Sequence, residues 1–118
     1  MLDLLATQPL AFFIVFPGVL MTITLHEFAH SWTAYQLGDP TPKAKGRLTL
    51  DPRKHLDPLG VIFILLTNFG WGKPAPYDPY NLKEPVRDSA LIAVSGAVVN
   101  LFTALVLALV LRFVSIPI

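Results

Sequence analysis

The sequence contains no cysteine. It therefore forms no disulfide bond and offers no thiolate to zinc, so a metal site in this chain has to use His, Asp or Glu. The same absence leaves the redox compartment of the protein open.

Charged residues are also scarce. They make up 14% of the chain, against 53% hydrophobic residues, whereas typical globular proteins contain about 25% charged residues. The net charge of +1 gives no electrostatic case for a nucleic-acid partner, because a phosphate-binding surface needs Lys and Arg gathered on one face. The composition predicts a membrane protein surrounded by lipid.

The N-terminus lacks the features of a removable signal peptide. The segment MLDLLATQPLAFF contains no basic residue, and no small-residue cleavage site follows the apolar stretch. We expect this segment to remain in the protein as a membrane anchor.

Two stretches are long and apolar enough to cross a bilayer, which takes about 20 residues. The first covers residues 9 to 38, where Pro17 and Gly18 are expected to kink a helix and Gly38 to end it. The second covers residues 89 to 112 and is uncharged as far as Leu111. Both predict transmembrane helices.

The connection between them, residues 39 to 88, is rich in proline and polar residues. Alternating side chains from Gly46 to Leu50 predict a short β-strand. The apolar run at residues 59 to 69 is too short to cross a membrane and fits a re-entrant segment. The sequence thus predicts one mainly α-helical membrane domain over residues 1 to 118, with two transmembrane helices and an intervening re-entrant and short β segment.

The motif His26-Glu27-Phe28-Ala29-His30 carries the chemistry. Residues four apart lie nearly above one another on a helix, so both imidazoles can reach one zinc ion, and Glu27 can take a proton from water. In a soluble helix the same pattern can be a solvated polar face. Inside an apolar span, each ionisable group costs about 3 kcal/mol to bury, which favours a Zn²⁺ site.

Three segments carry a resemblance to a known family. They are HEFAHSWTAYQLGDPTPKAKGRLTLDPRKHLDPLG, FGWGKPAPYDPYNLK and RDSALIAVSGAVVNLFTALVLAL. Together they resemble the site-2 protease family of intramembrane zinc metalloproteases, from about Phe12 to Arg112. The resemblance implies a core of transmembrane helices, with the HExxH helix first. It also implies regulated intramembrane proteolysis, in which transmembrane segments of substrate proteins are cut within or near the membrane.

The resemblance assigns roles to individual residues. It implies that His26 and His30 bind zinc and that Glu27 is the general base. Gly96 and Asn100 match a Gly-Pro-x-x-Asn pattern whose Asn lies near the active site, although Ala97 stands where the family usually has Pro. From the residue types alone, Asn100 could equally form an interhelical hydrogen bond, and Gly96 could be part of a close-packing patch.

A catalytic zinc usually has three protein ligands, and the motif supplies two. The resemblance implies an Asp of an Asp-Gly motif as the third, contributed by a missing C-terminal segment or a partner helix. His55 and Asp57 are the internal substitutes by residue type, although a position at the mouth of the site suits them better. A nonproteolytic membrane scaffold or regulator, or a metal carrier, remains the alternative function.

Eight of the nine basic residues lie between Lys43 and Arg87. Because basic loops stay inside, we predict a multi-pass protein with a cytoplasmic central loop and both ends outside. The compact form suggests a prokaryotic plasma membrane. A cysteine replacing Lys45 should resist an impermeant thiol reagent in intact cells, while one replacing Asp3 should react. The reverse labelling pattern would refute this orientation.

Overall fold

The computed structural model describes residues 1 to 114, with the backbone alone at Val114. This part of the chain forms five α-helices, joined by two 3₁₀ turns at Pro52–Lys54 and Pro79–Asn81. The helices are α1 (Leu2–Thr7), α2 (Pro9–Gln36), α3 (Thr41–Ala44), α4 (Pro58–Thr67) and α5 (Pro85–Val114).

Helices α2 and α5 are the two elements long and apolar enough to cross a membrane. With 28 residues at a rise of 1.5 Å each, α2 is about 42 Å long, more than the hydrocarbon thickness of a bilayer. Their outer surfaces carry exposed large apolar side chains, such as Leu10, Phe13, Leu101 and Phe102. A surface of this kind fits a lipid environment and confirms the predicted membrane, mainly helical fold class.

Proline begins each of the three longer helices. Pro9, Pro58 and Pro85 occupy their first positions, where the missing N–H is not needed and the fixed φ angle suits a helix. At α4 the side chain of Asp57 adds a cap, because its Oδ1 accepts a hydrogen bond from Leu59 N at 3.1 Å. The helix ends at Asn68, which adopts the left-handed conformation.

One face of α2 packs against α5. Its buried positions Thr24, Glu27, Ser31 and Ala34 recur every three or four residues and so lie on one side of the helix. Most of these side chains are small, which lets two helices approach closely. The two histidines of the motif lie toward α5, where Gly96 meets both rings.

The helices overlap the predicted spans but differ in detail. A short helix, α1, precedes the first span, and α5 begins at Pro85, before the predicted start at residue 89. The charges of Arg87 and Asp88 had delimited the apolar span, but they belong to the first turn of the helix. Hydropathy marks where a helix can enter lipid, whereas proline marks where this helix begins.

The prediction of a short strand from Gly46 to Leu50 is not confirmed. These residues form a turn and bends, and the pairing present elsewhere is an isolated antiparallel bridge between Leu56 and Gly72. The apolar run at 59 to 69 is mostly α4, a helix of 10 residues. At about 15 Å it is too short to cross a bilayer, and its re-entrant position in the membrane remains a prediction.

Asp39 joins the end of α2 to the loop before α5. Its buried carboxylate accepts hydrogen bonds from Thr41 N at 3.0 Å, Asp78 N at 2.6 Å and Asn81 Nδ2 at 3.0 Å. Burial alone would raise the pKa of Asp39, but these hydrogen bonds together outweigh it and lower the pKa below its ordinary value. The charged form of Asp39 therefore stabilises the fold.

We predict that Asp39→Asn lowers stability at pH 7 by about 1 to 3 kcal/mol, because the amide cannot accept all three donors. A lowered folded-state pKa contributes stability above the unfolded value of about 4, which is lost as pH falls through the folded value. The difference between variant and wild type should therefore shrink toward pH 3. Thermal unfolding in detergent across this range measures it, and a difference independent of pH would contradict the assignment.

Candidate metal centre

The motif in α2 brings two imidazoles together. The ring centroids of His26 and His30 lie 4.5 Å apart with their planes at 72°, as expected for residues one helical turn apart. Glu27 lies beside them, with its Oε2 3.5 Å from His30 Nδ1. One potential ligand atom from each of the three residues lies within 4.8 Å of the others.

The environment of these rings fits a metal ion. His26 Nδ1 and His30 Nε2 are buried, and neither has a hydrogen-bond partner among the residues that the structure describes. Buried polar atoms are nearly always paired, so two unpaired nitrogens on adjacent imidazoles need an explanation. A bound divalent cation would satisfy both nitrogens, and neutral imidazole is the commonest protein ligand for such ions.

Gly96 of α5 lies directly against both rings. A Cβ atom at this position would be 2.5 Å from His26 Cε1 and 2.8 Å from His26 Nδ1, and it would also overlap His30 Nε2. Any side chain at position 96 would have to displace the imidazoles. Gly96 therefore lies both in a close helix contact and next to the candidate site, which had been considered as alternatives.

Asn100, one turn further along α5, lines the same cleft as His26 and Glu27. This cleft, which we call the histidine cleft, has a volume of about 420 Å³. Its walls are formed by Thr22, Ile23, His26, Glu27, Gly70, Trp71, Gly72, Pro74 and Asn100. The buried Oδ1 of Asn100 has no hydrogen-bond partner within residues 1 to 114. In this part of the chain, Oδ1 therefore does not accept the interhelical hydrogen bond considered as an alternative.

His55 and Asp57 lie outside the three-residue ligand group. His55 is fully buried, and its Nε2 lies 2.6 Å from the carbonyl oxygen of Thr49. Asp57 caps α4 with one carboxylate oxygen and accepts a hydrogen bond from Trp71 Nε1 at 2.8 Å with the other. These contacts hold loops, and His55 Nδ1 is buried without a partner among the described residues. Neither side chain belongs to the group of His26, Glu27 and His30, so a role for them as substitute metal ligands stays a prediction.

One contact escaped the sequence analysis. The main-chain N–H of Ala75 donates to Glu27 Oε2 at 3.1 Å, although the two residues are 48 positions apart. The donor belongs to residues 72 to 77, which we call the strap. An alanine carries no chemical signal of its own, and the only hint is that it stands between two prolines, Pro74 and Pro76.

We predict that Gly96→Ala lowers the zinc content of the purified protein by at least about tenfold, because the added methyl group displaces both imidazoles. Gly18→Ala is the matched control, since a Cβ at Gly18 meets nothing within 4 Å. Both changes remove a glycine from a helix interior and should favour the helix similarly. Equal zinc content in the two variants, measured by elemental analysis, would contradict this geometry.

The chain is similar to curated proteins from three bacteria. It is 44% identical over 88 residues to "Putative zinc metalloprotease YwhC" of Bacillus subtilis, an alignment that covers 75% of this chain and 40% of the relative. It is 36% identical over 120 residues to "Putative zinc metalloprotease Rip2" of Mycobacterium tuberculosis, with 94% and 46% covered. With the Rip2 protein of Mycolicibacterium smegmatis the identity is 34% over 101 residues, with 81% and 39% covered.

The chain spans less than half the length of these relatives. No protein-family model matches the chain, and no solved structure does. The similarity nevertheless extends over most of the 118 residues, and the Mycobacterium tuberculosis relative is aligned with 94% of this chain. This agreement of residues, helix pairing and relatives identifies the chain as a member of the site-2 protease family.

Proposed function

We propose that this chain carries the catalytic residues of a zinc-dependent membrane protease that hydrolyses peptide bonds within or near transmembrane segments of other proteins. The observation that supports it most strongly is the group of His26, Glu27 and His30. It combines ligand atoms within 4.8 Å of one another with two buried, unpaired ring nitrogens on a helix long enough to cross a membrane. The names of the relatives support zinc and proteolysis in general terms.

In this proposal, His26 and His30 hold the zinc ion, and a third ligand comes from a partner helix or a longer form of the chain. When bound, zinc supplies Lewis acidity, which activates water and polarises a substrate carbonyl. Glu27 accepts the proton of the attacking water and returns it to the leaving nitrogen as the peptide bond breaks. Asn100, which lines the histidine cleft, would hydrogen-bond the substrate backbone through its amide.

The position of the site supports a membrane substrate. The cleft lies between α2 and the segment around Trp71, in a region whose outer surface is apolar. A transmembrane segment must expose its backbone before a peptide bond can be attacked, because its carbonyl groups are already hydrogen-bonded within the helix. The open cleft beside Glu27 offers room for such an extended segment.

Two other functions remain distinguishable by experiment. A nonproteolytic membrane scaffold or regulator would bind zinc, or lose it, without cleaving any peptide. A metal carrier would move zinc across vesicle membranes. The second is disfavoured by the described residues, which form a single metal-ligating group and no further cluster of His, Asp or Glu to continue a path.

We predict that Glu27→Gln lowers cleavage of a transmembrane peptide by at least about 100-fold while zinc remains bound, because the amide cannot accept the proton of water. His26→Ala and His30→Ala should lose both zinc and cleavage. The protein is produced from its natural gene, its cleavage of the peptide is assayed in detergent, and zinc is measured in the same samples. Undiminished cleavage by the Glu27 variant would refute the assigned base, and cleavage by none of the proteins would refute the protease proposal.

A further inference from the structure

The strap has a single main-chain hydrogen-bond donor in its centre. In the run Lys73-Pro74-Ala75-Pro76, the two prolines have no N–H. Ala75 therefore supplies the one donor between Lys73 and Tyr77, and this donor binds Glu27 Oε2 at 3.1 Å. The hydrogen bond joins the strap to the proposed catalytic base itself.

Both ends of the strap are anchored to other parts of the chain. At the first end, Lys73 N donates to the carbonyl oxygen of His55 at 2.7 Å, and Gly72 forms the antiparallel bridge with Leu56. Just beyond the second end, Asp78 N donates to Asp39 Oδ2 at 2.6 Å. Asp39 lies three residues after the end of α2 at Gln36, so this anchor ties the strap to the helix that carries Glu27.

The strap also packs tightly against α2 at Gly72. A Cβ at Gly72 would be 2.5 Å from Ile23 Cγ2 and 3.4 Å from Glu27 Cγ. Proline at positions 74 and 76 further restricts the backbone, including that of Ala75, to extended conformations. An anchored, stiff segment of this kind presents its N–H in one fixed place, which is the condition for preorganisation.

We infer that the Ala75 N–H positions Glu27 for proton transfer, and that His55 and Asp57 are positioning residues that act through the strap. His55 holds Lys73 through its carbonyl oxygen, and Asp57 holds Trp71 through its Oδ2. The inference rests on the proposed function, because it concerns the orientation of the base proposed there. A loss of about 1 Å in placement can cost about 100-fold in rate, so such a support has a measurable effect.

The carboxylate keeps one oxygen for chemistry. Oε2 accepts the Ala75 N–H, while Oε1 accepts no hydrogen bond from the described residues and remains available to water. The strap also leaves the histidine cleft open beside it, at about 420 Å³. These features favour a support for Glu27 over a plug that substrate would have to displace.

The test replaces the donor without changing the carboxylate. Ala75→Pro removes the N–H and places a ring methylene where the hydrogen was, so that Glu27 Oε2 must move away from its present position 3.1 Å from this nitrogen. The proline φ angle is compatible with the extended backbone between Pro74 and Pro76. Ala75→Gly keeps the N–H and is the matched control. Ala75→Pro should lower kcat by about 10- to 100-fold with KM within about twofold, unchanged zinc content and unchanged thermal stability, whereas Ala75→Gly should behave like the wild type.

A second measurement does not depend on activity. The infrared carboxylate band of Glu27, identified as the difference between the wild type and Glu27→Gln, should shift in Ala75→Pro and remain in place in Ala75→Gly. An unshifted band in Ala75→Pro would overturn the inference, as would an unchanged or increased kcat. If the wild type cleaves nothing, the protease proposal fails, and the infrared band alone decides whether the Ala75 hydrogen bond exists.

A further variant covers the case in which Ala75→Pro does not fold. Asp57→Ser retains a side chain that caps α4 but is too short to reach Trp71 Nε1 as well. It should lower kcat by about three- to tenfold and shift the Glu27 band, with zinc content unchanged. Wild-type kcat and an unshifted band in Asp57→Ser would overturn the role assigned to the anchors.

Discussion

The close contact between α5 and the histidine pair of α2 is the constraint on which the rest of the structure depends. Burying ionisable side chains in an apolar helix is expensive unless they are covered and paired. Gly96 lets α5 reach both imidazoles, so protein covers part of the polar face of α2, and the histidine cleft stays open beside it. The same approach places Asn100 beside His26 in one cleft. Without it, α2 would present its polar motif to lipid.

The long helices and the loops between them contribute different parts of the candidate site. Helix α2 supplies both nitrogens of the candidate metal centre, because a regular 3.6-residue turn fixes their spacing. The loops supply orientation, since the strap reaches Glu27 and Asp39 ties the strap to the end of α2. Positioning through backbone hydrogen bonds suits a membrane site, where every buried N–H needs an acceptor. The 39 to 88 region is therefore more than a connection between spans.

Hydropathy predicted the long helices, and spacing predicted that His26, Glu27 and His30 lie together, because both signals are local. A run of mostly apolar residues indicates the 28-residue helix. His26 and His30 lie close together because they are four positions apart on that helix. The predicted strand at Gly46 to Leu50 was based on alternation alone. Its backbone found no partner strand, and alternating side chains cannot make a strand without one.

The sequence by itself determined which residue types are available, where helices can cross lipid, and that two imidazoles and a carboxylate share one helical turn. Only the tertiary structure decided what meets that turn from elsewhere in the chain. The Ala75 N–H binds Glu27, Gly96 lies against the imidazoles, Lys73 N donates to the carbonyl oxygen of His55, and Asp57 binds Trp71. Each of these contacts joins residues far apart in sequence. Such contacts depend on how whole segments pack, and a main-chain donor leaves no trace in residue identity.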